Sequence, residues 1–290
     1  MNTIETTLYS DPACPWAYSA GPALRVLEWR YREQLRWRLV TIGLTEDASQ
    51  YAKRGYTPLR GALGQLNFRR FGMPFSPVPK PRLSATARAC RAIVAARVHD
   101  PGSEFAVYRA LQFGNFTNGV VLDDDGHLER TLTEAGFDGA RLVAALDSPE
   151  VTEAYERDRA EARTASGSPS ELQGKTAATD GPVRYTAPSV VFELDGRRLE
   201  AGGWQTIEAY DVLIANLDPG IDRADAPDTP EPLLEFFPGG LTTQEVAALM
   251  TRGNDAVDRV GAERALIELV AAGRATRTPL GDDALWRQAG

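Results

Sequence analysis

The sequence predicts an α/β protein whose mixed sheet is interrupted by an all-helical block and followed by a small extra unit. Three observations predict it. Residues 4–42 read strand, helix, strand; residues 84–166 carry only helical patterns; strand signals return at 188–200. Alternation of period 2 and recurrence at three to four residues separate these segments.

Residues 4–10 form a short strand rich in β-branched and aromatic side chains, ended by Asp11–Pro12–Ala13. From Cys14 the pattern turns helical, with Ala20, Ala23, Leu24, Leu27 and Tyr31 at helical steps. Pro15 suits the first helical position, where an N–H would be unpaired anyway. Residues 35–42 alternate as a half-buried strand, so the opening is a βαβ unit with a parallel pair. A helix is expected over 48–70, weakened by Gly55, Pro58, Gly61 and Gly64, and then a proline-rich loop over 75–81. Helices follow near 84–97, 104–115, 126–134, 139–146 and 149–165. Residues 188–194 form a strand, Asp195–Gly196 a hairpin turn, 197–200 the return strand and 204–216 a helix.

Residues 218–232 read as an Asp- and Pro-rich linker. Beyond it, Thr242 and Glu245 have the spacing of a capping box for a helix through Met250. A short helix near 255–260, another over 263–272 and a hairpin over 274–287 complete a winged-helix-like outline. Residues 241–290 hold six Arg, no Lys and seven acids, a poor charge for phosphate contact, so the unit suits docking or dimerisation better than DNA.

A net charge of −8 argues against nucleic acid or an anionic membrane as main partner. No apolar run is long enough to span a bilayer, and the first residues lack the features of a signal peptide, so a cytoplasmic location is expected. The two cysteines, Cys14 and Cys90, and two histidines, His99 and His127, have no zinc-ligand spacing, and no metal is expected. In a reducing compartment a structural disulfide is not expected, so each thiol needs its own account.

Cys14 stands at a strand-to-helix junction. Unpaired N–H groups and the helix dipole at such a terminus favour the thiolate, which is both nucleophile and leaving group in disulfide exchange. An activated thiol is therefore expected at Cys14. Cys90 lies on an apolar helix face and reads as a small core residue.

The segment Asp11–Pro12–Ala13–Cys14–Pro15–Trp16 resembles the active-site segment of the DsbA-like superfamily, in particular its FrnE-like thiol oxidoreductases. Tyr185–Thr186–Ala187–Pro188–Ser189, the hairpin after it and Gly202–Gly203–Trp204 are similar to that family's cis-proline strand and following turn. The helical stretch around Leu111–Gln112–Phe113–Gly114–Asn115–Phe116 resembles its inserted domain. The likeness covers about the first 220 residues. It implies a thioredoxin-like fold over 1–83 and 167–220, a helical insertion over 84–166, and beyond the likeness a linker over 221–232 and a winged-helix-like domain over 233–290. It also implies a cis Ala187–Pro188 bond facing Cys14, with Ala187 and Pro188 shaping the substrate groove. Pro15, Trp16 and Ala17 complete the active-site motif.

The departure from the family pattern lies at Ala17, where redox members carry the second cysteine of Cys-x-x-Cys. A mixed disulfide at Cys14 has no partner there. The residues leave three readings open. Cys14 works as a monothiol on a protein disulfide or small electrophile, with no bound cofactor but with glutathione or mycothiol as co-substrate. Alternatively it is the thiol of a decayed site in a non-enzymatic regulatory or binding protein. A further alternative is an enzyme like the kappa-class glutathione transferases or 2-hydroxychromene-2-carboxylate isomerases, which share the architecture but use serine near this position. A homodimer fits any of the three. Phe68, Phe71, Met73 and Phe75 are expected mainly in the core, Asp123–Asp124–Asp125 at a solvated helix start, and both histidines exposed at helix ends.

Overall fold

The computed structural model describes residues 3–290. Strand β1 (Ile4–Ser10) runs into the short helix α1 (Pro15–Ser19), then α2 (Gly21–Tyr31) and strand β2 (Leu35–Thr41). The expected single helix is split at Ala20, because Pro22 supplies no N–H to continue the first segment. β1 and β2 pair in parallel, from Ile4 against Leu35 to Ser10 against Thr41.

The next segment departs from expectation. In place of one helix over 48–70 there are α3 (Ser49–Lys53), α4 (Pro58–Leu66) and a 3-10 turn, Arg69–Phe71. Gly55, at φ +76°, ends the first piece, and Thr57 with Pro58 starts the second, the Thr57 hydroxyl accepting the Arg60 N–H.

The helical block comprises α5 (Ala87–His99), α6 (Glu104–Thr117), α7 (Asp125–Glu134), α8 (Gly139–Ala144) and α9 (Pro149–Ala162). Helix α5 is buried on nearly every side, as its run of alanines allows, and packs against α6, α9 and β2. Asp158 of α9 ties the block to the sheet, accepting the Thr41 N–H at 2.8 Å and Arg97 at 2.9 Å. Helix α10 (Pro169–Leu172) and the paired strands β3 (Thr176–Ala177) and β4 (Arg184–Tyr185) lead back to β5 (Ser189–Leu194), β6 (Arg197–Gly202) and α11 (Ile207–Leu217). Asp195 and Gly196 both have positive φ, the geometry of a two-residue hairpin turn.

The central sheet has the order β2-β1-β5-β6, with β5 antiparallel to both neighbours. Its pleat divides the core. Ile4, Leu8, Leu39 and Phe192 face α2, α5 and α11, while Tyr9, Val40 and Val191 face the cluster that holds Cys14.

Residues 221–225 do not behave as a loose linker. The Ala224 N–H donates to Arg30 O at 2.8 Å, Gln34 pairs with Asp222, and Trp29 Nε1 donates to Asp225 O. Helix α12 (Glu231–Phe236), β7 (Leu241–Thr242), α13 (Thr243–Met250), α14 (Arg259–Ala271), β8 (Ala275–Leu280) and β9 (Asp283–Gln288) follow, with sheet order β7-β9-β8. The capping box at Thr242 and Glu245 is formed. The short helix expected near 255–260 is absent: residues 251–258 are an exposed turn, and α14 starts at Arg259, capped by Asp258. None of the helices among the described residues is long and apolar enough to cross a membrane.

Candidate active site at Cys14

Cys14 occupies the N-cap of α1, with Pro15 at the first helical position. A tight turn delivers it there. The Cys14 N–H donates to Asp11 O at 3.1 Å, and Asp11 Oδ1 accepts the Ala13 N–H at 2.9 Å. Asp11 is fully buried, and its other oxygen accepts Leu44 N–H, the Thr86 hydroxyl and, at 3.5 Å, the Cys90 thiol. Burial pushes this carboxyl above its usual value, against four donors that favour its charge. Sequence reasoning took Asp11 as a strand breaker; its partners at 44, 86 and 90 come together only in the fold.

Cys14 is 7% exposed, and its Sγ donates to Ala187 O at 3.0 Å. The Ala187–Pro188 bond is cis, and both residues are buried. The expected activation of Cys14 is opposed by its burial. Burial pushes the thiol up to about 12. The Ala17 and Trp16 N–H groups and the Arg184 guanidinium act in the opposite direction, and Asp11 adds to the rise. The helix terminus does favour the thiolate, but desolvation wins. Arg184 was not singled out from sequence; adjacency to the cis-proline strand was its only signal.

Around the thiol, Ala17 is buried at 2% exposure, whereas Trp16 is 41% exposed. The Trp16 ring meets Phe68 edge-on at 5.0 Å and Phe71 at 5.7 Å, and Phe71 meets Trp204 at 5.0 Å. The expected core cluster therefore divides. Met73 and Phe75 are core, while the half-buried Phe68 and Phe71 extend an aromatic shelf from Trp16. Cys90 is wholly buried in α5; both thiols are free, and each has its own acceptor.

The remaining candidates lie outside this site. Asp124 caps α7, Asp123 accepts the Ala85 N–H, and Asp125 pairs with Arg88. His127 is half-buried rather than exposed, because its Nδ1 accepts the Val121 N–H at 3.0 Å; His99 is half-buried at the end of α5. No cluster of three potential metal ligands occurs among the described residues.

A strand-to-helix cysteine opposite a proline strand, on a sheet with one parallel pair and an inserted helical block, defines a thioredoxin-fold protein. Residues 5–179 match the family model described as DSBA-like thioredoxin domain, and the chain belongs to this family of thiol–disulfide oxidoreductases. The match stops short of Ala187–Pro188 and of the C-terminal unit.

Among solved structures, the chain is similar to the cytosolic disulfide reductase DsbM from Pseudomonas aeruginosa, at 18% identity and a TM-score of 0.53, over 74% of this chain and 100% of that one. The same reductase with GSH aligns at 18% identity and a TM-score of 0.51, over 73% and 98%. A protein described as a probable DsbA oxidoreductase from Streptomyces coelicolor aligns at 18% identity and a TM-score of 0.53, over 78% and 94%. At these identities the likeness is one of fold. No curated protein matches the chain.

Proposed function

We propose that this protein is a cytoplasmic, FrnE-like member of its family that exchanges disulfides through Cys14 alone, with a low-molecular-weight thiol resolving the mixed disulfide. The observation that carries the reading is Cys14 at the N-cap of α1 with its sulfur 3.0 Å from Ala187 O, while the fourth motif position is the buried Ala17. A fold neighbour solved with GSH supports a thiol co-substrate of the glutathione or mycothiol kind.

Exchange begins when a client opens the contact with Ala187 and the thiol loses its proton to solvent. The thiolate, held by the Trp16 and Ala17 N–H groups, attacks one sulfur of the client disulfide. The client S–S bond breaks, a Cys14–client disulfide forms, and the departing sulfur takes up a proton. A glutathione thiolate attacks Cys14 Sγ and releases the client's second thiol. A second glutathione regenerates Cys14 and leaves as glutathione disulfide. The client gains two electrons and two protons from two glutathione thiols.

A non-enzymatic binding role is the second reading, favoured by the burial of Cys14. One experiment separates them. The full chain is incubated with glutathione disulfide, and glutathione-driven reduction of a peptide disulfide is measured. The expected result is a single adduct at Cys14, turnover abolished by Cys14→Ser, and a stoichiometric round without glutathione in Ala17→Cys. No adduct up to pH 10 and no Cys14-dependent turnover would sink the enzymatic reading. Residues 233–290 fit a winged-helix-like unit for docking; their net formal charge of −2 suits a protein contact better than a nucleic-acid one.

A further inference from the structure

Residues 48–99 contain ten Lys and Arg and not one Asp or Glu. The whole chain is −8 and this block is +10, so the remainder carries −18. Most cations of the block have partners in the fold. Arg69 pairs with Asp282, Arg82 with Asp123, Arg88 and Arg91 with Asp147, and Arg97 with Asp158. The Lys80 ammonium is held by Asn115 Oδ1 and Val120 O. Besides Lys80, four cations have no carboxylate within 4.0 Å among the described residues: Lys53, Arg54, Arg60 and Arg70. All four are exposed, and all lie on α3, on α4 or on the turns beside them.

The same segment exposes its apolar side chains. Leu59, Leu63 and Leu66, at i, i+4 and i+7, share one face of α4 and are 58%, 54% and 46% exposed, while Ala62 alone of that helix is buried. The chain then passes directly into Phe68 and Phe71, the shelf against Trp16. An exposed leucine stripe, on a segment whose exposed cations meet carbonyls and rings but no carboxylate, therefore leads to the mouth of Cys14.

We propose that this face docks an acidic, apolar polypeptide segment of the client, with its leucines against the client's apolar side chains and the four cations against its carboxylates. The docking itself stands on this surface; delivery of a disulfide to Cys14 rests on the proposed function. Charge complementarity selects a polypeptide over the two other occupants of such a face. An anionic bilayer is repelled by the −18 carried by the rest of the molecule, and a second copy meeting this face with its own would bring the same cations to the contact. Neither would bring a disulfide to the shelf.

The test uses the full chain and fluorescent, cysteine-free peptides in which leucine alternates with glutamate or, in the control, with lysine. The glutamate peptide is expected to bind with an affinity that falls as salt rises from about 50 to about 300 mM, and about tenfold more tightly than the lysine peptide. Arg54→Glu with Arg60→Glu inverts that preference, and Leu63→Ser weakens both peptides; all three positions are exposed, so the thermal midpoint stays unchanged. Equal binding of the two peptides overturns the proposal. So does co-sedimentation with phosphatidylserine vesicles, or a dimer that Leu63→Ser dissolves. Peptide titration and glutathione-driven turnover, both measured on the full wild-type chain, separate the two readings. Docking with an inert thiol counts against exchange chemistry alone, and exchange without docking counts against this surface alone.

Discussion

At Cys14 two influences of opposite sign act on one sulfur. The end of α1 supplies N–H groups that favour a thiolate, and the surrounding side chains remove the water a thiolate needs. The first influence is legible in the sequence, because a strand followed by Cys-Pro and a helical pattern fixes a helix terminus. The second is not, because Ala187, which accepts the thiol proton, lies 173 residues away. The sign of the net effect has a kinetic consequence. With the thiol pushed up to about 12, the thiolate fraction grows tenfold per pH unit across the neutral range. Alkylation of Cys14 by iodoacetamide, followed by mass spectrometry from pH 6.5 to about 9.5, should therefore rise with a slope near one and show no plateau. A plateau by pH 8 would mean that the resting thiol is already activated. Cys90 should stay unlabelled until the chain unfolds, since it is fully enclosed in α5.

Among the elements, α13 shows which interactions local sequence reveals. Its capping box spans four residues, and the Thr-x-x-Glu spacing is enough to find it. What the spacing hides is the second task of Glu245. That carboxylate is wholly buried and is gripped by Arg109 of α6 at 2.6 and 2.7 Å, across 136 residues of sequence. Burial pushes its carboxyl up, but Arg109, Arg25 and the Thr242 N–H more than offset that, so the net shift is downward. A folded-state value below the ordinary 4.5 contributes stability that is present above pH 4.5 and lost as pH falls below it. Glu245→Ala leaves the part-buried Arg109 guanidinium without its carboxylate and should cost about 3 kcal/mol at pH 7, while Thr242→Ala should cost about 1 kcal/mol. Urea unfolding at pH 7 and pH 4 checks both: the gap between wild type and Glu245→Ala should narrow at the lower pH, and an unchanged gap would contradict the ion-pair account. Elsewhere periodicity overran its evidence. The helix expected over 48–70 breaks because Gly55 takes a left-handed conformation, and residues 255–258 stay non-helical, with Asp258 used to cap α14.

For the whole molecule, composition marks residues 218–232 as a linker and so suggests a separable tail; the packing contradicts separability. Helix α2 belongs to two cores at once. Its Leu27 and Tyr31 face the central sheet, and its Val26 and Trp29 lie among Leu233, Leu241, Val246 and Trp286 of the C-terminal unit. That unit also holds the segment before the helical block: Asp282 accepts the Phe75 N–H at 2.7 Å and pairs with Arg69, and Thr242 contacts Met73. Arg69 opens the turn that carries Phe71 to Trp16, so the tail buttresses the aromatic shelf beside Cys14. Deleting residues 228–290 would uncover Val26 and Trp29, at about 1.5–3 kcal/mol for each large apolar side chain, and leave Arg109 without its carboxylate. A chain of residues 1–227 should therefore melt well below the full chain, bind a hydrophobic dye, and reduce peptide disulfides poorly. It should still form the Cys14 adduct with glutathione disulfide under conditions where it remains folded, because the turn at Asp11 and the N-cap at Cys14 are built without the tail. A truncated chain with the thermal midpoint and peptide kinetics of the full one would show that the shared face of α2 contributes no stability and that the shelf needs no buttress.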